Sequence, residues 1–150
     1  MKTNNSIAVT IHMHTSIQDQ ERREETKLLA QGLIFFKGDA TYIKFDEPAS
    51  EDSPDQLTKQ TLRFQKDRTT VIRSGTVNMH QQFILGKETS GMLRSPYGQM
   101  AMTIVTKESS FVWDGEKGQG TGRLAYTLQL QNEYAGEYLI HVKIEEVTPL

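Results

Sequence analysis

Apolar side chains recur at every second position along much of this chain, and few folds accommodate that pattern. Ile7, Val9, Ile11, Met13 and Ile17 fall on one side of an extended backbone, with Thr10, His12, His14, Ser16 and Gln18 on the other. Successive side chains of a strand point to opposite faces, so the segment predicts an antiparallel strand with one dry and one wet side. The same period returns at Val77, Met79, Gln81, Phe83 and Leu85, then at Met100, Met102 and Ile104. It returns again at Leu124, Tyr126, Leu128 and Leu130, and it ends the chain at Tyr138, Ile140, Val142 and Ile144. Less regular strands are predicted at Leu33 to Lys37, Thr41 to Asp46, Leu57 to Lys66 and Thr70 to Arg73.

Turn residues separate these runs. Lys37-Gly38-Asp39 reads as a tight hairpin, since glycine supplies the positive φ such a turn needs. Gly86-Lys87, Pro96-Tyr97-Gly98 and the stretch from Asn132 to Gly136 read as further reversals. Glu47 to Asp55, with Pro48, Pro54 and acids at Glu47, Glu51, Asp52 and Asp55, reads as a solvated loop. Trp113 to Gly122, with four glycines, reads as a mobile or tightly turned loop. Asp19 to Gln31 is rich in helix formers, and Gly32 would suit a helix C-cap. Its only apolar residues are Leu28, Leu29 and Ala30, which make no stripe along a helix. The favoured reading is a long charged hairpin whose second strand runs from about Glu25 into Phe36.

Many short strands with turns between them, and no strand–helix alternation, predict an all-β fold. Closing the sheet on itself removes exposed edges, so the expected architecture is a closed antiparallel up-and-down barrel of about 8–10 strands. The chain has 150 residues, enough for one domain over 1–150 that buries roughly two-thirds of its unfolded surface. It has no cysteine, so neither disulfides nor thiolate metal sites enter the argument. Only 36% of residues are hydrophobic, and their periodicity argues for a folded domain over disorder. A net charge of −2 offers no electrostatic reason to expect nucleic acid or a membrane surface as partner. The start of the chain lacks the apolar core of a secretory signal, and Leu33 to Phe36 is the longest strongly apolar cluster. A cytoplasmic location is therefore expected.

A resemblance emerges in the central block. Thr70-Val-Ile-Arg-Ser-Gly-Thr-Val-Asn-Met79, Ser95-Pro-Tyr-Gly-Gln99 and Met102-Thr-Ile-Val-Thr106 resemble the YwiB-like family of uncharacterised bacterial β-barrel proteins. Gly32 followed by Tyr42-Ile-Lys-Phe-Asp-Glu47, then Gly122-Arg-Leu-Ala-Tyr126 and the strand from Ile140 to Glu146, extend the likeness over nearly the whole chain. The resemblance implies a calycin-like barrel, the architecture shared with lipocalins and fatty-acid-binding proteins. It implies no particular activity. The chain departs from lipocalins in lacking their Gly-x-Trp start; its single tryptophan is Trp113.

Several residues are candidates for chemistry. His12 and His14 share a strand face and are spaced to offer two imidazoles to a metal. A third ligand would come from His80 or His141 on a neighbouring strand; otherwise the pair is polar surface. Arg73 is positioned to hold a ligand carboxylate through a bidentate pair, or to close one barrel end against an acid. Alternation puts it on the side of Val71, unless Gly75 marks a bulge that resets the register. Arg63 and Arg123 are the other strand-borne arginines. Met13, Met79, Met100 and Met102 fall on inward faces, where methionine suits an irregular ligand or an irregular core. Tyr97, Tyr126 and Tyr138 offer hydroxyls to a ligand, or pack with the phenol at the rim.

These residues lead to a luminal binding site for a small, partly apolar or carboxylate ligand, built on Arg73, Met79, Met102, Tyr126 and Tyr138, with no cofactor. A filled barrel acting as an interaction or assembly module, with a homodimer as its simplest form, is the alternative. A metal-dependent enzyme centred on His12 and His14 is the remaining one.

Overall fold

The computed structural model describes residues 6–48 and 57–147. Ten strands run through the described residues: β1 Ile7–Gln18, β2 Arg23–Lys37, β3 Ala40–Asp46, β4 Thr58–Phe64, β5 Thr69–Gly75, β6 Asn78–Phe83, β7 Glu88–Ser95, β8 Gly98–Asp114, β9 Gln119–Leu130 and β10 Glu133–Glu146. Each pairs antiparallel with its neighbours in sequence, and β1 pairs with β10 to close an up-and-down barrel. Among the described residues no helix is long and apolar enough to cross a membrane.

Alternation sorts the side chains as the periodicity requires. Val9, Ile11, Ile34, Ile43, Phe83, Ile104, Val142 and Ile144 are all but fully buried inside the ring. Thr10 and His12, between the inward residues of β1, stay at least partly exposed. The charged segment after β1 is a strand. Asp19 accepts hydrogen bonds from the Glu21 and Arg22 amides, both at 2.8 Å, and this pins the turn. β2 then leaves at Arg23 and pairs with β1 from Gln18↔Arg23 to Ile7↔Ile34. Glu24, Glu25 and Lys27 are exposed, which is how so polar a sequence remains extended without an apolar stripe.

The structure corrects four expectations. β7 has no counterpart among the predicted strands, because its inward positions are Thr89, Gly91 and Leu93, too mixed to register as apolar alternation. β8 runs well beyond Ile104. A bulge between Thr106 and Glu108 inserts Lys107, so the inward set changes from Met102 and Ile104 to Phe111 and Trp113. The expected glycine-rich loop shrinks to a turn after Asp114, and Gly120 and Gly122 are buried within β9. A Cβ at Gly120 would lie 2.8 Å from Phe111 Cζ, and one at Gly122 would lie 3.2 Å from Phe64 Cζ. These glycines therefore make a notch for rings. Leu85, expected on the inward face of its strand, lies beyond the end of β6 and is exposed.

Those rings seal one end of the barrel. Phe64 stacks on Phe111 at 4.8 Å between centroids, and Phe36 meets Trp113 at 6.0 Å. Each contact joins strands that are not neighbours in the ring. The hoop is thinnest between β6 and β7, whose ladder holds only Asn78↔Arg94 and Met79↔Leu93. Side chains take over beyond it: Thr89 Oγ1 donates to the Gln82 carbonyl at 2.7 Å, and Gln81 Nε2 donates to the same carbonyl at 2.8 Å. Gln81 is fully buried, and its amide fills the space that a side chain at Gly91 would need.

A substitution at Gly32 tests how closely β2 and β3 approach. An added Cβ would collide with the Lys44 carbonyl oxygen and with Phe45. We expect Gly32→Ala to destabilise the barrel by about 1–3 kcal/mol in urea unfolding. Gly115→Ala, which meets only ordinary contact with Trp113, should stay within about 0.5 kcal/mol of wild type. Equal midpoints for the two variants would contradict the close approach.

Candidate functional site

The barrel encloses a cavity of about 310 Å³. That volume is at the lower end of ligand pockets, which run from roughly 300 to 1,000 Å³. Its floor lies toward the aromatic seal, where Phe64, Leu124 and Phe83 are buried. Toward the β1–β2 hairpin its walls become half-buried, at Met79, Leu93, Leu130 and Tyr138, so the cavity reaches that end of the barrel. Met13, Leu62, Val71, Met102 and Leu128 make the middle section.

All five residues singled out for ligand binding line this one space: Arg73, Met79, Met102, Tyr126 and Tyr138. The β4–β5 register runs unbroken from Phe64↔Thr69 to Thr58↔Gly75, so Gly75 resets nothing and Arg73 stays on the side of Val71. Of the expected methionines, Met100 lies nearer the rim and is more than a third exposed. Arg63 is not part of the lining, and Arg123, which is, has a partner of its own. Arg63 donates to Thr70 Oγ1 at 3.2 Å, and Arg123 Nε donates to Glu108 Oε1 at 2.6 Å. Tyr97 sits fully exposed on the β7–β8 turn, away from the cavity lining.

Arg73 has a partner that the sequence reading placed in solvent. Its Nε donates to Glu47 Oε2 at 2.7 Å and its Nη2 to Glu47 Oε1 at 2.8 Å, a bidentate pair. Gln60 Nε2 adds a third bond to Glu47 Oε2 at 2.8 Å. The Arg73 and Glu47 side chains are only 27% and 17% exposed, so solvent screens this pair less than a surface bridge. Burial pushes the Glu47 carboxyl up, but the bonds from Arg73 and Gln60 and the Arg73 charge outweigh it and hold the group below its ordinary value. Glu47 thus leaves the solvated run to which it was assigned; Glu51, Asp52 and Asp55 lie outside the described residues. A parity signal was available, since Glu47 stands two positions past the inward Phe45 at the end of β3.

Two phenols face each other across β9 and β10. Tyr126 pairs in register with Tyr138, and their rings stack at 5.1 Å. Phe83 tilts against Tyr126 at 4.8 Å. Burial, with Tyr138 close by, pushes the Tyr126 phenol well above its ordinary value, although Arg73 opposes this. Burial, with Glu24 adding to it, also raises Tyr138. Both are therefore neutral O–H groups at any physiological pH.

The histidine candidates lie apart, on the outer surface. His12 is exposed and stands opposite Lys143, while His14 stands opposite His141, with Nε2 3.8 Å from Glu25 Oε1. His80 is on β6, half the ring away from β1. Among the described residues no three His, Asp or Glu side chains come together in a metal-holding group.

Comparison with known proteins gives a consistent picture of the fold. The family described as "Domain of unknown function (DUF1934)" matches residues 11–142. The "Uncharacterized beta-barrel protein YwiB" of Bacillus subtilis (strain 168) is 24% identical over 125 residues, covering 83% of this chain and 84% of that protein. The crystal structure of ywiB protein from Bacillus subtilis superposes with a TM-score of 0.81 at 20% identity, covering 95% of this chain and 94% of that one.

The Glu47 pair makes stability depend on acid. A carboxyl whose value is lower in the folded than in the unfolded state stabilises the fold above its unfolded value, near 4.5, and that contribution is lost as pH falls through the folded value. Glu47→Gln should cost about 1–3 kcal/mol at neutral pH, because it leaves Arg73 without its anion. The variant's unfolding midpoint should then decline less than that of wild type between neutral and acid pH. Parallel decline of both in urea titrations would remove Glu47 from the account.

Proposed function

The chain belongs to the DUF1934 family, and from its interior we propose that it is a non-enzymatic barrel that holds one small, partly apolar molecule in its lumen. The cavity of about 310 Å³ is the observation that carries this reading. Protein interiors close-pack and seldom leave voids larger than a water. This cavity is far larger than that, and a guest molecule would restore the packing. Its walls are chiefly leucine, methionine, valine and aromatic side chains, which gain little from water and much from an apolar guest. The polar groups are few: Arg73, Gln60, Thr15, Thr69, Arg123 and the two phenols. An apolar wall with a small number of placed polar groups is the general design of a small-molecule site.

A neutral naphthalene dye such as prodan tests this directly. Its fluorescence should rise on mixing with wild type, and decanol should displace it. Native mass spectrometry of gently purified protein should show the mass of one retained small molecule. Val71→Phe puts a ring into the middle of the cavity, and it should weaken dye binding by at least about tenfold, or roughly 1.4 kcal/mol, with folding retained. Undiminished binding by a folded Val71→Phe variant would show that the dye sits elsewhere.

A further inference from the structure

We propose that Glu47 sets the class of ligand that the lumen accepts, selecting uncharged amphiphiles over carboxylates by keeping the Arg73 guanidinium in a closed ion pair. This rests on the luminal reading above and narrows it. An arginine reaching into an apolar barrel invites an anionic guest, and the sequence alone left that option open. The geometry removes the invitation. Two of the three guanidinium nitrogens already donate to Glu47, at 2.7 and 2.8 Å, in the fork-to-fork arrangement a ligand carboxylate would need. Gln60, which also lines the cavity, gives one of its two amide N–H donors to the same carboxylate. Arg123, the other cation on the lining, pairs with Glu108.

The Arg73–Glu47 pair therefore carries no net charge before any guest arrives. A carboxylate entering intact would set a second anion beside one cation among apolar walls, and an uncompensated buried charge is expensive. To use Arg73 it must first displace Glu47 and break three hydrogen bonds. A neutral head group meets no such barrier. The hydroxyls of Tyr126 and Tyr138 make no hydrogen bond among the described residues, and they face the same cavity as neutral donors and acceptors. An alcohol, ester or aldehyde oxygen is the chemical group they suit, with an unbranched apolar tail lying over Met102, Leu128 and Val71.

The test is a displacement series on prodan-loaded protein at neutral pH, using decanol, methyl decanoate and decanoic acid, which share a tail and differ in charge. Wild type should bind decanol or the ester at least about tenfold more tightly than the ionised acid. In Glu47→Gln the order should reverse, because Arg73 is released to the ligand. In Arg73→Met the acid should again bind weakly. Decanoate binding to wild type as tightly as decanol overturns the inference, and so does an unchanged ratio in folded Glu47→Gln. If that variant does not fold by circular dichroism, the wild-type ratio decides alone. Wild type that binds neither prodan nor any of the three overturns the luminal reading itself, a result distinct from equal binding of acid and alcohol.

Discussion

The ladder between β1 and β10 is the constraint on which the rest of the structure depends. It runs from Val9↔Glu146 to Gln18↔Glu137 and joins the two ends of a single meander. With that seam made, the sheet closes on itself and acquires an inside and an outside. Alternation, a local property of any strand, then becomes a global partition. Ile11 and Ile144, opposite each other on this ladder, are both buried, while His12 and Lys143 beside them lie in solvent. The hydrophobic content of the chain is modest, and the fully buried part of it is gathered on the inward face, while Leu29, Leu33, Val105 and Val112 stay exposed on the outer one.

The same closure gives the polar residues at the mouth their chemical character. On an open sheet, Arg73 and Glu47 would be a surface pair worth little. Held at the end of an apolar tube they form a dipole with no net charge, beside two phenols that burial keeps protonated. Along the lumen this sets a gradient from an ion pair without net charge at one end to an aromatic floor at the other. That gradient follows from where three hydrogen bonds to one carboxylate fall.

Much of this was legible in the amino-acid order, and the gaps have physical causes. Strands with strict apolar alternation, β1, β9 and β10 above all, announced themselves, and the inward faces of Met79, Met102, Tyr126 and Tyr138 followed from counting by two. β7 was invisible because the barrel fills the space inside it from the other side, with Gln81 reaching over Gly91. The end of β8 was hidden by a one-residue bulge, which inverts parity in mid-strand and cannot be inferred from period alone. Gly120 and Gly122 suggested a loop, since a local reading does not know that Phe111 and Phe64 will need their missing side chains. Glu47 was lost for a related reason. Its role depends on Arg73, twenty-six positions downstream, and no local pattern links the two.

The short ladder between β6 and β7 gives the barrel an uneven rigidity. Opening free energies differ along a structure according to how many backbone bonds each line must break. Every other junction holds five or more register pairs, whereas this one is two rungs and a patch of side-chain amide and hydroxyl. Breathing of the wall is therefore concentrated in one slit beside Met79 and Leu93, both of which line the lumen. A molecule inside the barrel is enclosed by a wall that is firm nearly all the way round and yields along a single crease.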